Sequence, residues 1–389
     1  MIQLRKQISI ITMLVLFLLL SACQLVQIDQ ADEQKQKKSS PPPPPPSKLT
    51  IAAIGDVMMH EPQMKSGKTK NGYDFRKFFK NVQPYLSSPD LTVANLETTL
   101  AGTSKPYSGF PRFNSPDQIL DALKYAGVDV ITTANNHSND TGEKGIIRTF
   151  TTIKKKGFMM TGTAPTPEQR KGIVIEKNGI KLGFLSYTEH TNGLPVAKGK
   201  PYLVNLINPA KITKDIKELK QQGAEYVLVS LHWGTEYQRT PNPFQKKTAT
   251  QVLQAGADVI LGHHPHVQQQ IEKVNINGQE KLIIYSMGNF ISNQSDPYTD
   301  QGVIVYLDIM KDAKTKKIKL TKTSFLPTVV NKYKKSGKSE YQVVPLPTKK
   351  AGNLKAYPGF TKKRWEKSWN DINSIITKTE SFPVFAPKP

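Results

Sequence analysis

From Leu49 onward, short β-branched runs alternate with helical segments, and this rhythm fixes the fold class. "KLTIAAIGD", "LTVANLE", "VDVITTANNH" and "IKLGFLSYTEH" read as strands, because Val, Ile and Thr fit a pleated, half-buried surface. Between them, "YDFRKFFKNVQPYL" predicts an amphipathic helix with Phe75, Phe78, Phe79 and Val82 on one face. "SPDQILDALKYAG" predicts a helix with Ser115 as N-cap and Pro116 first, and "GIIRTFTTIKKKG" one stopped by Gly157. The second half repeats the pattern. "NPAKITKDIKELKQQG" and "NPFQKKTATQVLQAG" are Asn-capped, Pro-started helices, whereas "EYVLVSLHWG", "ADVILGHHPH", "KLIIYSMGNF", "GVIVYLDIMKD" and "KIKLTKTSFLPTVV" are strands. Alternating βα units followed by strands predict an α/β sandwich with mixed parallel and antiparallel sheets over residues 49–345. Past that point the periodicity fades, and residues 346–389 read as a basic, extended C-terminal tail.

Five of the predicted strands end in residues able to bind a metal. The first ends at Asp56, the second at Asn95 and Glu97, and the third at Asn135, Asn136 and His137. A later one ends at His232, and the last at His263, His264 and His266. In open α/β sheets, ligands bind beyond the carboxyl ends of strands. Carboxylate, amide and imidazole groups on one rim form the mixed donor set that suits Mn, Fe or Zn. His264 and His266 stand two apart, so an extended segment projects them to one side and His263 to the other. His263 is then the spare, placed either beside the site or in the core.

The first 22 residues read as an export signal: basic "MIQLRK", then the apolar run Ile8–Leu20, too short for a span of about 20 residues. "LSAC" ends in Cys23, the only cysteine, and resembles the bacterial lipobox. That resemblance implies a lipidated Cys23 and a cell-membrane anchor on the extracytoplasmic face. Residues 23–48 are polar, with six consecutive prolines, and read as a disordered linker or a semi-rigid stalk.

The formal net charge is +23. From Lys311 to the end, nineteen Lys and Arg face five Asp and Glu, so most of the excess is C-terminal. A basic field attracts polyanions. Export excludes nucleic acid as a partner and leaves anionic cell-wall or capsular polymers and the membrane surface.

The ordered strand ends resemble the calcineurin-like metallophosphoesterases, whose pattern runs Asp, Gly-Asp, Gly-Asn-His, a lone His and Gly-His-x-His. More closely, "IGDVMMH", "ANLETTL", "TTANNHSND", "SLHWGTEY", "AGADVILGHHPHV" and "YSMGNF" resemble the bacterial capsule synthesis family CapA/PgsA, linked to poly-γ-glutamate. The resemblance implies a metallophosphoesterase-like sandwich holding one or two divalent ions. Asp56 is then a terminal ligand and Glu97 a bridge. Asn136, His232 and His264 serve one ion, and His266 serves the other. His137 is the acid or electrophile beside the leaving oxygen, and Asn289 lies at the rim. Two departures stand out. Met58 occupies the place of a phosphoesterase histidine, with His60 two residues further on, and Glu97 replaces Asp. Arg112, in "GFPRFNSP", either clamps an anionic substrate or sits in a surface salt bridge. The family implies an accessory role beside capsule synthase membrane subunits. Three readings stay open: a metal-dependent hydrolase or transferase in capsule synthesis, a non-catalytic scaffold for anionic polymer, and a phosphoesterase unrelated to capsule.

Overall fold

The computed structural model describes residues 45–385; the signal, Cys23 and the proline run up to residue 44 lie outside it. In chain order the strands are β1 (Ser47–Val57), β2 (Lys68–Thr69), β3 (Gly72–Tyr73), β4 (Leu91–Leu96), β5 (Val130–Thr132), β6 (Met159–Thr161), β7 (Ile173–Lys177) and β8 (Ile180–Thr188). They continue as β9 (Tyr226–His232), β10 (Val259–His263), β11 (Ile271–Ile276), β12 (Gln279–Ile284), β13 (Asn289–Ile291), β14 (Gln301–Lys311), β15 (Ile318–Lys335) and β16 (Lys338–Pro345). The α-helices are α1 (Glu61–Gly67), α2 (Arg76–Phe79), α3 (Gln83–Ser87), α4 (Gln118–Ala126), α5 (Gly142–Lys155), α6 (Pro209–Gln221), α7 (Pro243–Gln254) and α8 (Lys362–Ile376).

Two large sheets carry the fold. The first runs β16-β15-β14-β1-β4-β5-β6, with β13 added beside β1; the second runs β11-β12-β10-β9-β8-β7. Strands β1, β4, β5 and β6 are parallel, and so are β8, β9, β10 and β12. Antiparallel strands finish the edges, with β14, β15 and β16 on one sheet and β7 and β11 on the other. The chain is therefore an α/β sandwich with mixed sheets. Alternation along β1 explains the layering, since successive side chains point to opposite faces. Leu49, Ile51 and Ala53 join Leu228, Val259, Leu261 and Ile284 in a core between the sheets. Ala52 and Ile54 face the other way, onto Phe78, Phe79, Leu120, Leu123 and Ile153 of the helices. On the far side, α6 and α7 cover the second sheet with Ile212, Ile216, Leu219, Val252 and Leu253.

The Asn-Pro helix starts form as expected. The Asn208 side chain accepts from Lys211 N at 3.1 Å, and that of Asn242 accepts from Gln245 N at 2.9 Å, contacts worth about 1 kcal/mol each. Four expectations are corrected. Ser115 does not cap the helix that follows it: α4 starts at Gln118, with Asp117 at its N-cap. "YDFRKFFKNVQPYL" is not one helix but two short ones, α2 and α3; Pro84, which has no amide hydrogen, sits in the first turn of the second. All four apolar residues of its expected face are nonetheless fully buried. "KLIIYSMGNF" is two strands in different sheets, because the chain leaves β12 at Ile284 and joins β1 of the other sheet as β13. Residues 346–385 are not simply extended: α8 forms within them. Trp365 joins Val329, Val344, Leu346 and Phe360 in a small core, while Ile372 and Ile376 enter the layer between the sheets. Pro383–Phe385 runs extended beside β15, with Phe325 N donating to Pro383 O and Phe385 N to Phe325 O.

Candidate metal centre

The carboxyl ends of β1, β4, β5, β9 and β10 meet at one edge of the sandwich. Asp56 is placed by a close backbone approach. Its amide donates to Gly288 O at 3.0 Å, and a Cβ on the preceding Gly55 would stand 1.9 Å from that same oxygen. Only glycine fits there, and the pairing of β1 with β4 shifts register at this point, which re-aims the carboxylate. Asp56 Oδ1 accepts from Asn95 Nδ2 at 2.8 Å and from His263 Nδ1 at 3.1 Å, and Oδ2 accepts from His264 N at 3.2 Å. Burial alone would raise this carboxyl, but its contacts with His263 and His266 hold it well below the usual range.

Three ligand-type atoms surround His232 Nε2: Asn136 Oδ1 at 2.9 Å, His264 Nδ1 at 3.1 Å and Glu97 Oε1 at 3.5 Å. His266 has one nitrogen committed. Its Nδ1 lies 3.1 Å from Asn289 Oδ1, and the Asn289 amide group donates to Ser292 Oγ, Gln294 Oε1 and Thr299 O. The carbonyl end of Asn289 must then accept from His266, which leaves Nε2 as a lone pair aimed inward. That Nε2 stands 3.9 Å from Glu97 Oε1.

Glu97 tests whether this chain fits a metal. It is completely buried, and neither carboxylate oxygen has a hydrogen-bond partner among the described residues. Burial, then the neighbouring Asp56 and Glu236, push its pKa well above normal. An unpaired buried carboxylate costs several kcal/mol. Around it, burial lowers the imidazoles: His232 falls well below its usual value and His264 to about 3, so both are neutral donors. Orphaned carboxylate oxygens facing neutral imidazoles and an amide oxygen form the donor set of a divalent cation.

His137 stands beside this cluster with a different partner. Its Nδ1 lies 2.8 Å from Asp140 Oδ2, which also accepts from Phe113 N at 2.6 Å. The Phe113 ring packs edge-on against the imidazole with centroids 4.6 Å apart. Asp140 therefore fixes the proton on Nδ1 and frees Nε2.

Asp56, Glu97, Asn136, His232, His264 and His266 thus converge as the strand ends predict, though by different local geometry. Strand β10 stops at His263, and His264 and His266 adopt left-handed φ values of 96° and 60°. They meet through a strained turn, not through extended alternation. His263 does not point away; it holds Asp56. Met58 is buried at the end of β1, and His60 does not replace the absent histidine. Its Nδ1 takes the amide of Asn293 at 3.3 Å, and burial lowers its pKa to about 4. Arg112 is exposed beside Phe113 and does not join the ligand-type atoms that meet around Glu97. Asp140 and Glu236 are participants that strand-end reasoning misses, since neither ends a strand; the only signal was their place inside "NNHSND" and "HWGTEY".

The chain is similar to several known proteins. Residues 50–294 match the family described as bacterial capsule synthesis protein PGA_cap. The chain is 32% identical over 267 residues to the capsule biosynthesis protein CapA of Bacillus anthracis, covering 66% of this chain and 63% of that protein. It is 30% identical over 269 residues to the PGA biosynthesis protein CapA of Bacillus subtilis, covering 68% of each. Among solved structures, it resembles the calcineurin-like phosphoesterase YfkN of Bacillus subtilis, at 13% identity and a TM-score of 0.45, over 85% of this chain and 98% of that one. It also resembles the NAD nucleotidase NadN of Haemophilus influenzae, at 14% identity and a TM-score of 0.48, over 88% of this chain and 65% of that one. The matched segment spans more than half of the chain and contains the whole strand-end cluster, so the chain belongs to the bacterial capsule synthesis protein PGA_cap family.

Proposed function

We propose that this chain is a cell-surface lipoprotein that assists the making or export of an anionic poly-γ-glutamate-type polymer, with a divalent-metal, hydrolase-like site. Buried Glu97, with two unpartnered carboxylate oxygens among imidazoles, carries the metal part of this reading. Asp56, Glu97 and His266 would hold one ion, and Glu97, Asn136, His232 and His264 the other. Bound ions would supply Lewis acidity toward a phosphoryl or acyl oxygen. His137, its Nδ1 proton held by Asp140, offers Nε2 to move a proton at the leaving group. Arg112, exposed next to the Phe113 that packs on His137, would offer a guanidinium to an anionic chain.

Charge supports the polymer. The turn between β15 and β16 extends beyond the end of β14 that lies nearest the site, and exposes Lys332, Lys334, Lys335 and Lys338. Its acidic residue, Glu340, is already taken by Lys77 at 2.5 Å. The surface location rests on "LSAC" at Cys23, and the membrane subunits of a capsule synthase are the partners such a location implies.

Complementation tests the reading. In a strain lacking the chain, the wild-type gene should restore surface polymer and the Asp56→Ala/His264→Ala double variant should not. Full restoration by a stably expressed double variant would show that the site is dispensable and leave a scaffold role. Cys23→Ala should release the protein from the detergent phase; unchanged partitioning would remove the anchor.

A further inference from the structure

We propose that Glu236 is a metal ligand that makes up for the histidine missing at Met58. The inference rests on the metal reading above and names a residue outside the strand-end set.

The site near Asp56 is short of donors. Met58 gives no imidazole, His60 is turned to Asn293, and Asp56 Oδ1 is shared with Asn95 and His263. His266 Nε2 is the available nitrogen, and it looks into a gap between two carboxylates. Glu97 Oε1 lies 3.9 Å away on the buried side and Glu236 Oε1 lies 3.9 Å away on the solvent side. Neither distance is a hydrogen bond. Both suit ligands of a shared ion. Donor atoms about 2.0–2.2 Å from one metal stand about 3 Å apart at right angles and about 4.4 Å apart when opposite. Ligand atoms of Glu236, His264 and His266 all lie within 4.8 Å of one another, as do those of Asp56, Glu97 and His266. His266 belongs to both groups.

Glu236 is delivered by an anchored turn. Trp233 N donates to His263 O at 3.2 Å, Gly234 N donates to Glu189 Oε2 at 2.9 Å, and Tyr237 N donates to Pro265 O at 2.8 Å. The turn after β9 is thus pinned to the turn after β10, on both sides of Glu236. Tyr237 adopts a left-handed φ of 66° to do so, a conformation that costs about 1 kcal/mol or more and needs compensation. The Glu236 side chain is 42% exposed, so it closes the mouth without sealing it. A bare carboxylate there would repel an anionic polymer; one spent on a cation would not.

The test uses purified full-length chain stripped with EDTA and titrated with Mn²⁺ alone, with Co²⁺ as a spectroscopic probe. Wild type should bind Mn²⁺. Glu236→Gln should bind the ion at the His266 side at least about tenfold more weakly. Its Co²⁺ absorption should change in intensity, and Glu236→Asp should recover part of the affinity. Equal melting temperatures of the stripped proteins should show that the turn still folds; if Glu236→Gln does not fold, Glu236→Asp carries the comparison through its own weaker binding. Unchanged affinity and spectrum in Glu236→Gln, with loss in Glu97→Gln, would overturn the role of Glu236 and leave the metal reading standing. Absence of binding by wild type would overturn both.

Discussion

His263 Nδ1 donates to Asp56 Oδ1 at 3.1 Å, so the first histidine of "GHHPH" acts on the site through a carboxylate. Partners that orient a ligand change affinity almost as much as the ligand itself. His263→Ala should therefore weaken Mn²⁺ binding by about 10–100-fold, as well as lower stability. His264→Ala and His266→Ala should abolish binding at one ion each. Metal content of the three purified variants checks this; full occupancy in His263→Ala would mean that Asp56 needs no support.

Asp140 fixes the proton of His137, and nothing else in the cluster does so. Asp140→Asn should leave bound metal unchanged. If the chain hydrolyses a p-nitrophenyl phosphoester, the substitution should lower kcat by about 10²–10⁴-fold, the span of general acid–base catalysis, with little change in KM. A loss that appears only in KM would place Asp140 in substrate binding.

Trp365 is nearly buried, and its Nε1 donates to Thr348 O at 2.8 Å. Trp365→Ala should cost about 3–5 kcal/mol in urea unfolding. If the loss is below 1 kcal/mol, on the scale of ordinary surface changes, helix α8 is an appendage and not part of the core.

Lys334→Glu/Lys335→Glu should weaken binding to poly-γ-glutamate without moving the melting temperature. The wild-type affinity should fall steeply with salt, because exposed charges are screened over about 8 Å at physiological ionic strength. Equal binding by the variant at low salt would shift attention to α8 and the other exposed lysines.

Most of the candidate ligand set was legible because it depends on strand ends, and strand ends follow from local pattern. Asp56, Glu97 and His232 close apolar strand segments, and the Asn208 and Asn242 caps act within three residues. What was hidden depends on distant neighbours. The break after Ile284 arises because Gly288 must reach Gly55, more than 200 residues earlier in the chain. The left-handed turn at His264 and His266 places non-glycine residues where propensity argues against them. Helix α8 carries Lys362, Lys363, Arg364 and Lys367 in its first two turns, so it reads as solvated until β15 and β16 offer Val329 and Val344 to Trp365.

The passage from β12 to β13 ties the two sheets together with four residues, Tyr285–Gly288, directly behind the ligand cluster. The candidate ligands come from both sheets: Asp56 and Glu97 from one, His232 and the β10 turn from the other. A cation held there would act as a rivet across the sandwich. Binding to the native state alone adds about 2.7 kcal/mol when free ion exceeds Kd a hundredfold. The supply of that ion would then set how fast proteases clear the protein, coupling its abundance to the mineral content of its surroundings.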